Sequence, residues 1–246
     1  MNPGEIIIER KNKTVYRDGN RCCKVFNEQY SKADILGEAL NQARLEETGL
    51  SVPRLLEVTV LDGKWAIVYE YVEGRTLAEM MREHPERMEE YMDHFVDLQL
   101  HVLSQTCPLL TPLRDKMTKK IAQSDLPATV RYSLHAALDT MPRHGKICHG
   151  DFRPSNVIIR EDGSYCILDW ARATRGNGSA DAATSYLLFT IYWGEELAER
   201  YMETFCRKAG VERAYVEKWL PLVAAAHSVK GNEAEQAFMK KLLNVI

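Results

Sequence analysis

The sequence predicts an α+β fold with a small antiparallel β lobe, which holds one helix, and a larger lobe that is mainly helical. Two observations support this prediction. Short β-branched runs separated by turn residues fill the first part of the chain, whereas apolar residues at helical spacing dominate after Gly74. We therefore expect a first lobe over residues 1–72 and a second over residues 73–246, with a cleft where the two meet.

The predicted β lobe is marked by the turn pairs Asp18-Gly19 and Asp62-Gly63, each between two apolar runs. Ser31 followed three residues later by Asp34 is typical of a capped helix start. The strands are predicted at 6–8, 14–16, 21–26, 55–60 and 65–71, and the apolar face of the helix at Ile35, Leu36, Ala39, Leu40 and Ala43.

The second lobe shows helical periodicity with one β interruption. The interruption consists of two short β-branched or aromatic runs on either side of Asp162-Gly163, so we predict a hairpin there. The predicted strands of this hairpin are 157–159 and 165–168, and the predicted helices are 77–82, 86–103, 114–122, 128–138, 181–192, 195–208, 214–229 and 234–243.

The register of this hairpin has a chemical consequence. If Asp162-Gly163 is a two-residue loop, Asn156 lies directly opposite Asp169 at the open end of the ribbon. An amide oxygen and a carboxylate would then meet at one point, and hard oxygen ligands of this kind suit Mg²⁺. The ordinary structural interpretation is that Asn156 caps its strand and Asp169 closes a turn.

A second carboxylate, Asp151, precedes Asn156 by five residues, directly after His149-Gly150. Phosphoryl transfer needs ligands for a metal that clamps the phosphates and a separate acceptor that orients the attacking hydroxyl. The combination of His149, Asp151, Asn156 and Asp169 therefore favours a catalytic site over four unrelated turn or cap residues.

Two segments carry a resemblance to a known family: His149-Gly150-Asp151-Phe152-Arg153-Pro154-Ser155-Asn156 and Ile167-Leu168-Asp169-Trp170. They resemble the catalytic segment of the aminoglycoside phosphotransferase and choline kinase family, and more distantly that of protein kinases. The resemblance implies a bilobal kinase-like fold. It also implies Mg²⁺-dependent transfer of the γ-phosphate of ATP to a hydroxyl of a small molecule, such as an aminoglycoside, a choline-like amino alcohol or a sugar.

The resemblance also implies roles for individual residues. Asp151 would be the catalytic base or would orient the hydroxyl, and Asn156 and Asp169 would bind Mg²⁺. His149 would shape the catalytic loop through hydrogen bonds. Arg153 would either meet the transferring phosphate or form a salt bridge with an acidic side chain.

For the nucleotide, the resemblance implies that Lys24 contacts the α- and β-phosphates and is held by a glutamate of the following helix. Glu38 is the expected partner, with Glu46 and Glu47 as alternatives. The ordinary interpretation of Lys24 is an edge-strand lysine whose ammonium reaches solvent.

The segment Ile67-Val68-Tyr69-Glu70-Tyr71-Val72-Glu73-Gly74 resembles the hinge between the lobes in this family, which implies that it binds adenine through its backbone. With Tyr69 at the gatekeeper position, the carbonyl of Glu70 and the amide of Val72 would contact the base. Farther along the chain, Asp181 is predicted to cap a helix and to brace the catalytic loop.

The first predicted hairpin departs from the protein-kinase pattern, because residues 9–14 contain no glycine. Without glycine the backbone approaches phosphates less freely. Two interpretations remain open at this stage: Lys11 and Lys13 substitute with charge, or the loop is simply short and solvated.

Composition and charge predict which partners the protein binds and in which compartment it lies. The net charge is −3 and no apolar run approaches the length of a membrane span, so we expect neither a nucleic-acid nor a membrane partner. The six cysteines form no C-x-x-C pair, which favours free thiols in the cytoplasm.

The candidate residues for binding the acceptor molecule are Tyr192, Trp193, Glu195, Glu196, Glu199, Glu203, Trp219 and His227.

Two alternative functions follow from the same pattern. A protein Ser/Thr kinase would share the catalytic motif, but the glycine-rich loop and an A-P-E segment after Asp169 are missing. A pseudokinase would bind a nucleotide or a partner without transferring phosphate, but the sequence keeps Asp151, Asn156 and Asp169.

Overall fold

The computed structural model describes residues 4–229 and 233–243. The chain forms two compact units, one made of Met1–Met80 with Ser155–Arg172 and the other of Met81–Pro154 with Ala173–Ile246. Antiparallel sheet dominates the first part of the chain and helices dominate the rest, which confirms the predicted α+β class. The hairpin predicted within the helical part belongs to the same unit as the first eighty residues.

Ten strands and ten α-helices are present in the described ranges. The strands are β1 Glu5–Arg10, β2 Lys13–Asp18, β3 Arg21–Phe26, β4 Leu55–Leu61, β5 Lys64–Glu70, β6 Arg75–Thr76, β7 Lys146–Cys148, β8 Val157–Ile159, β9 Tyr165–Ile167 and β10 Thr174–Gly176. The helices are α1 Lys32–Glu46, α2 Leu77–Glu83, α3 Met88–Ser104, α4 Leu113–Gln123, α5 Ala128–Thr140, α6 Gly178–Trp193, α7 Glu195–Ala209, α8 Arg213–Glu217, α9 Leu220–Ser228 and α10 Glu233–Leu243. Within these ranges we find no helix with the length and apolarity that a membrane crossing requires.

The first unit is built on a five-stranded antiparallel sheet with the order β1-β2-β3-β5-β4. Its core lies between this sheet and α1, where Phe26, Ile35, Ala39 and Ile67 are buried together. A second sheet of the same unit has the order β6-β8-β9.

Helix α1 begins as predicted, because the Ser31 side chain accepts a hydrogen bond from the backbone N–H of Asp34. The predicted apolar face is partly wrong, since Leu36, Leu40 and Ala43 are exposed. The buried face instead runs through Ile35, Glu38, Ala39, Gln42 and Leu45. The spacing of apolar residues cannot predict a buried face that includes a glutamate and a glutamine. This face places Glu38 inside the unit.

The register predicted for the β8–β9 hairpin is wrong by one residue. Ile158 pairs with Cys166 rather than with Ile167, and the backbone N–H of Leu168 donates to the carbonyl of Asn156 at 2.8 Å. Asn156 therefore lies opposite Leu168 and not opposite Asp169.

The cause of this shift is the loop, which has three residues because the N–H of Arg160 donates to the Ser164 carbonyl at 2.8 Å. Gly163 closes the loop with a left-handed φ of 81°, as is common in three-residue hairpins. One extra loop residue moves every pair by one position.

The second unit is mainly helical and is centred on an aromatic cluster. The ring of Phe95 on α3 lies 4.7 Å from that of Phe152, 5.3 Å from that of Phe189 and 5.9 Å from that of Tyr201, measured between centroids. Phe152 directly follows Asp151, so this cluster anchors the predicted catalytic loop to three helices of the unit.

Two features of this unit differ from the sequence-based expectation. The short sheet of β7 and β10 was not predicted, because three-residue strands are too short to show a period. The helix predicted at 214–229 is divided into α8 and α9, and Pro221 lies in the first turn of α9. Proline has no N–H to donate, so it is accepted at a helix start and not in a helix interior.

We expect Phe95→Ala to destabilise the protein by about 3–5 kcal/mol, because it removes a fully buried ring from this cluster. Urea unfolding followed by circular dichroism measures the change. The matched control is Leu109→Ala, whose side chain is 61% exposed and whose effect should stay within about 0.5 kcal/mol. Equal effects of the two substitutions would show that the aromatic cluster is not the core of this unit.

Candidate active site

The first unit gathers a cluster of buried charges around Lys24 of β3. The Lys24 ammonium contacts the carboxylate of Glu38 on α1 and donates to Oδ1 of Asp169 at 2.9 Å. Lys24 and Glu38 are both buried, and Asp169 is partly buried. Lys24 is thus not the solvent-directed edge lysine of the alternative interpretation, and Glu38 is its partner as predicted. Glu46 is engaged elsewhere, because it accepts a hydrogen bond from the N–H of Leu55.

The charges of this cluster stabilise each other. Burial alone would lower the pKa of Lys24, but Asp169 and Glu38 outweigh it and hold that pKa well above its ordinary value. Burial likewise opposes the charge of Asp169, but Lys24 and Lys13 hold the pKa of this carboxyl well below its ordinary value. At neutral pH the site therefore presents an ionised carboxylate beside an ammonium.

Lys13, at the start of β2, is the fourth member of this cluster. Its Nζ lies 3.3 Å from Oδ2 of Asp169, so each carboxylate oxygen of Asp169 faces one lysine. Burial, together with the neighbouring charge of Lys24, lowers the pKa of Lys13 to about 8, although Asp169 acts in the opposite direction. The sequence marked Lys13 only as one of two lysines in a hairpin without glycine, and the structure shows that it reaches Asp169.

The predicted metal ligands Asn156 and Asp169 lie at the open end of the β8–β9 hairpin, although not directly opposite each other. Asp169 has a left-handed φ of 60°, a conformation that non-glycine residues adopt rarely and often at functional sites. Asn156 is buried. An ionised carboxylate and an amide oxygen form a donor set that suits Mg²⁺, so the residues present fit this metal.

The segment predicted to bind adenine begins in β5 and extends beyond it. The Tyr69 hydroxyl donates to Glu38 at 3.1 Å, which gives Glu38 a second partner besides Lys24. The side chain of Glu70 is exposed and pairs with Arg54 at 2.8 Å. A backbone role for Glu70 and Val72 does not depend on these side-chain contacts and stays a prediction.

In the second unit, the segment from His149 to Arg153 is held by buried hydrogen bonds. The N–H of Gly150 donates to Oδ1 of Asp181 at 2.6 Å, and the N–H of Asp151 donates to Nδ1 of His149 at 3.1 Å. Because Nδ1 accepts, the ring proton of neutral His149 is on Nε2. His149 therefore holds the backbone of this loop through a hydrogen bond inside the unit.

Asp181 braces the loop as predicted, but its predicted capping role is wrong. Helix α6 begins at Gly178, and its cap is Asn177, whose side chain accepts from the N–H of Ser179. Burial raises the pKa of Asp181 above its ordinary value, with His149 and the Gly150 N–H acting against this.

A buried amide connects Asp181 to the rest of α6 and to α7. The Gln99 side chain donates to Asp181 at 3.2 Å and to Ser185 at 3.1 Å, and it accepts from the Tyr201 hydroxyl at 2.6 Å. Ser185 in turn donates to the carbonyl of Phe152 at 2.8 Å. The sequence did not predict this network, since no short motif connects residues so far apart.

Arg153 lies between two carboxylates. Its guanidinium is 3.5 Å from Oδ2 of Asp151 and 3.8 Å from Oε1 of Glu235 on α10. It also lies over the ring of Tyr192, 5.2 Å from the centroid, while the Tyr192 hydroxyl donates to Glu235 at 2.5 Å. Of the two roles considered for Arg153, the structure shows the salt bridge. The sequence analysis did not select Glu235.

Two other candidate acceptor residues pair with side chains outside the loop. Glu196 pairs with Arg200 at 2.7 Å, and Glu199 pairs with Arg213 and accepts from Tyr186. Among the eight candidates, Tyr192 is thus the residue whose ring contacts Arg153.

A comparison with protein families identifies the class of protein. A model of the phosphotransferase enzyme family APH matches residues 8–219, and the chain belongs to this family. It is therefore a kinase-type phosphotransferase. Comparison with curated proteins returns no match to the chain.

Solved structures share the fold at low sequence identity. An aminoglycoside-3'-phosphotransferase of type VIII superposes with a TM-score of 0.68 at 17% identity, covering 92% of this chain and 94% of its own. A thermostable mutant of aminoglycoside phosphotransferase APH(4)-Ia, in a ternary complex with AMP-PNP and hygromycin B, gives 0.67 at 17% identity, with coverages of 98% and 91%. Choline kinase LicA from Streptococcus pneumoniae gives 0.66 at 14% identity, with coverages of 97% and 90%. These similarities show a kinase-like fold.

Proposed function

We propose that the protein transfers the γ-phosphate of ATP to a hydroxyl of a small molecule and requires Mg²⁺. The observation that carries this proposal is the contact of Lys24 with both Glu38 and Asp169. A lysine held by a helix glutamate, next to a carboxylate suited to a metal, is the arrangement by which kinase-like enzymes hold ATP phosphates.

In this proposal the first unit binds the nucleotide. Lys24 contacts the α- and β-phosphates, Glu38 fixes Lys24, and the backbone of Glu70 and Val72 binds adenine. Asn156 and Asp169 hold Mg²⁺, which neutralises charge on the transferring phosphate when bound. Lys13 supplies positive charge on the side where protein kinases use a glycine-rich loop.

The second unit then supplies the chemistry at the acceptor. Asp151 orients the acceptor hydroxyl and accepts its proton, and the loop is held for this purpose by His149 and Asp181. The guanidinium of Arg153 lies 3.5 Å from Oδ2 of Asp151, so it helps to orient this carboxylate. A carboxylate oriented in this way can accept the proton of the hydroxyl during phosphate transfer.

The acceptor belongs to the group of small alcohols that includes aminoglycosides, choline-like amino alcohols and sugars. The family and the structural neighbours support this range, since the neighbours include aminoglycoside phosphotransferases and a choline kinase. A broad acceptor screen with Mg-ATP, read as ADP release, tests the proposal. At least one alcohol should raise ADP release above the rate without acceptor. A nucleotide-binding protein that no alcohol stimulates would instead be a pseudokinase.

We expect Lys24→Met to weaken Mg-ATP binding by about 10- to 100-fold, because it removes hydrogen bonds between an ammonium and phosphate oxygens. Isothermal titration calorimetry measures the affinity. Lys64→Met is the matched control, since Lys64 is exposed at the start of β5, and its affinity should equal that of the parent. The unfolding curve of each variant without nucleotide shows whether the fold persists. Unchanged affinity in a folded Lys24→Met protein would contradict the phosphate-binding role.

A further inference from the structure

A cavity of about 220 Å³ lies within the second unit, on the side of β7 and β10 where β10 ends. It is lined by the first turn of α4, the end of α5, the segment that leads into β7, the end of β10 and the residue that precedes α9. No residue of the segment 149–156 lines it. The proposed chemistry therefore leaves this cavity without a role.

The lining is strongly cationic, although the whole chain carries a net charge of −3. Arg114, Arg143 and Arg175 line the cavity together with His144, whereas Asp115 is the single carboxylate among the lining residues. Arg114 is already paired with Asp139, so the remaining positive charge is that of Arg143 and Arg175, and it favours an anionic ligand.

Two of the three arginines have donors directed to no other protein group in the described part of the chain. Arg175 donates from Nε to the Leu110 carbonyl at 3.1 Å, which leaves both of its terminal nitrogens for a ligand. Arg143 is exposed and makes no side-chain hydrogen bond within residues 4–229 and 233–243. Arg114 differs, because Asp139 at 2.7 Å and the Met141 carbonyl at 2.8 Å hold it in the wall.

Trp219 can report on a ligand in the cavity. It lines the cavity and is only 3% exposed, and its Nε1 is a buried donor without a hydrogen-bond partner in the described part of the chain. A buried donor that lacks a partner lowers stability, and such groups are rare in folded proteins. This nitrogen has almost no accessible surface, so a ligand in the cavity contacts other atoms of the ring.

The remaining lining is apolar, with Leu113, Leu138 and Met141 among its side chains. The volume lies below the roughly 300–1,000 Å³ typical of sites for drug-sized ligands. We propose that this cavity binds a small organic anion, with a carboxylate or phosphate group on Arg143 and Arg175, and an apolar body against the leucines.

The probes for this site are benzoate, phenyl phosphate and the neutral analogue benzamide, each titrated at constant ionic strength. The readout is the indole N–H resonance of Trp219 in protein labelled with ¹⁵N-tryptophan, and Trp219→Phe assigns it among the four tryptophans. We expect benzoate or phenyl phosphate to shift this resonance saturably, and benzamide to bind at least about tenfold more weakly, because it lacks the charge-assisted hydrogen bonds. The two anions distinguish a carboxylate ligand from a phosphate ligand.

Substitutions test which arginines bind the anionic group of the probe. Arg143→Gln and Arg175→Gln should each weaken binding of the anionic probe by about tenfold or more. Arg200→Gln is the matched control, since Arg200 is an exposed arginine of the same unit that does not line the cavity. The inference is overturned if neither anion shifts the Trp219 resonance, if benzamide binds equally well, or if the two cavity variants behave like Arg200→Gln. Arg143 is exposed, so its variant should fold and keep the test decisive.

Discussion

Asp151→Asn is expected to lower phosphate transfer by about 10²- to 10⁴-fold while leaving most of the affinity for Mg-ATP in place. Asparagine is nearly isosteric with aspartate and still accepts a hydrogen bond, but it is a far weaker base. The two parts of this result separate the chemical step from nucleotide binding. Initial rates at saturating acceptor give the first part, and calorimetric titration with Mg-ATP gives the second.

The matched control is Asp97→Asn, an exposed aspartate of α3 in the same unit, which should transfer phosphate at the parental rate. A different result would change the role assigned to Asp151. If a folded Asp151→Asn protein no longer bound ATP, Asp151 would be a metal ligand or a structural brace, and the base would be another residue.

Asp169→Ala is expected to abolish the stabilisation that Mg-ATP gives to the parent protein. A ligand at one hundred times its dissociation constant stabilises by about 2.7 kcal/mol, which is visible as a rise in Tm. The physical reason is that Asp169 offers an ionised carboxylate, which Lys24 and Lys13 keep deprotonated. Without it, Asn156 is the remaining proposed ligand for Mg²⁺, and one neutral oxygen holds this metal poorly.

Each variant is compared with its own ligand-free melting curve, since the loss of Asp169 also removes a partner of the buried Lys24. Asp162→Ala serves as the control, because Asp162 lies in the loop of the same hairpin and is exposed. A parental Mg-ATP shift in Asp169→Ala would show that the metal is bound elsewhere.

The sequence predicted the local elements of the site and the pairing of Lys24 with Glu38, because strand alternation, a helix cap and a family motif all act over short distances. It failed on the hairpin register, since two- and three-residue loops around Asp162-Gly163 differ by a single backbone hydrogen bond. Such a difference leaves the pattern of apolar residues nearly unchanged.

The side-chain contacts missed by the sequence analysis connect residues far apart in the chain. Lys13 reaches Asp169 across 156 positions, and the Tyr192 hydroxyl reaches Glu235 across 43. Contacts of this kind depend on how sheets and helices pack, and a single sequence carries no periodic signal for them. The buried face of α1 is a related case, because Glu38 and Gln42 are buried there whereas Leu36 and Leu40 are exposed.

The most direct test of the proposed function follows the phosphate itself. With [γ-³²P]ATP, Mg²⁺ and the alcohol that raises ADP release most, we expect label to appear on the alcohol in a 1:1 ratio to ADP. We also expect Asp151→Asn to reduce both products together. Label that appears only as inorganic phosphate, or on the protein, or at the same rate in Asp151→Asn, would contradict the transfer of phosphate to a small-molecule hydroxyl.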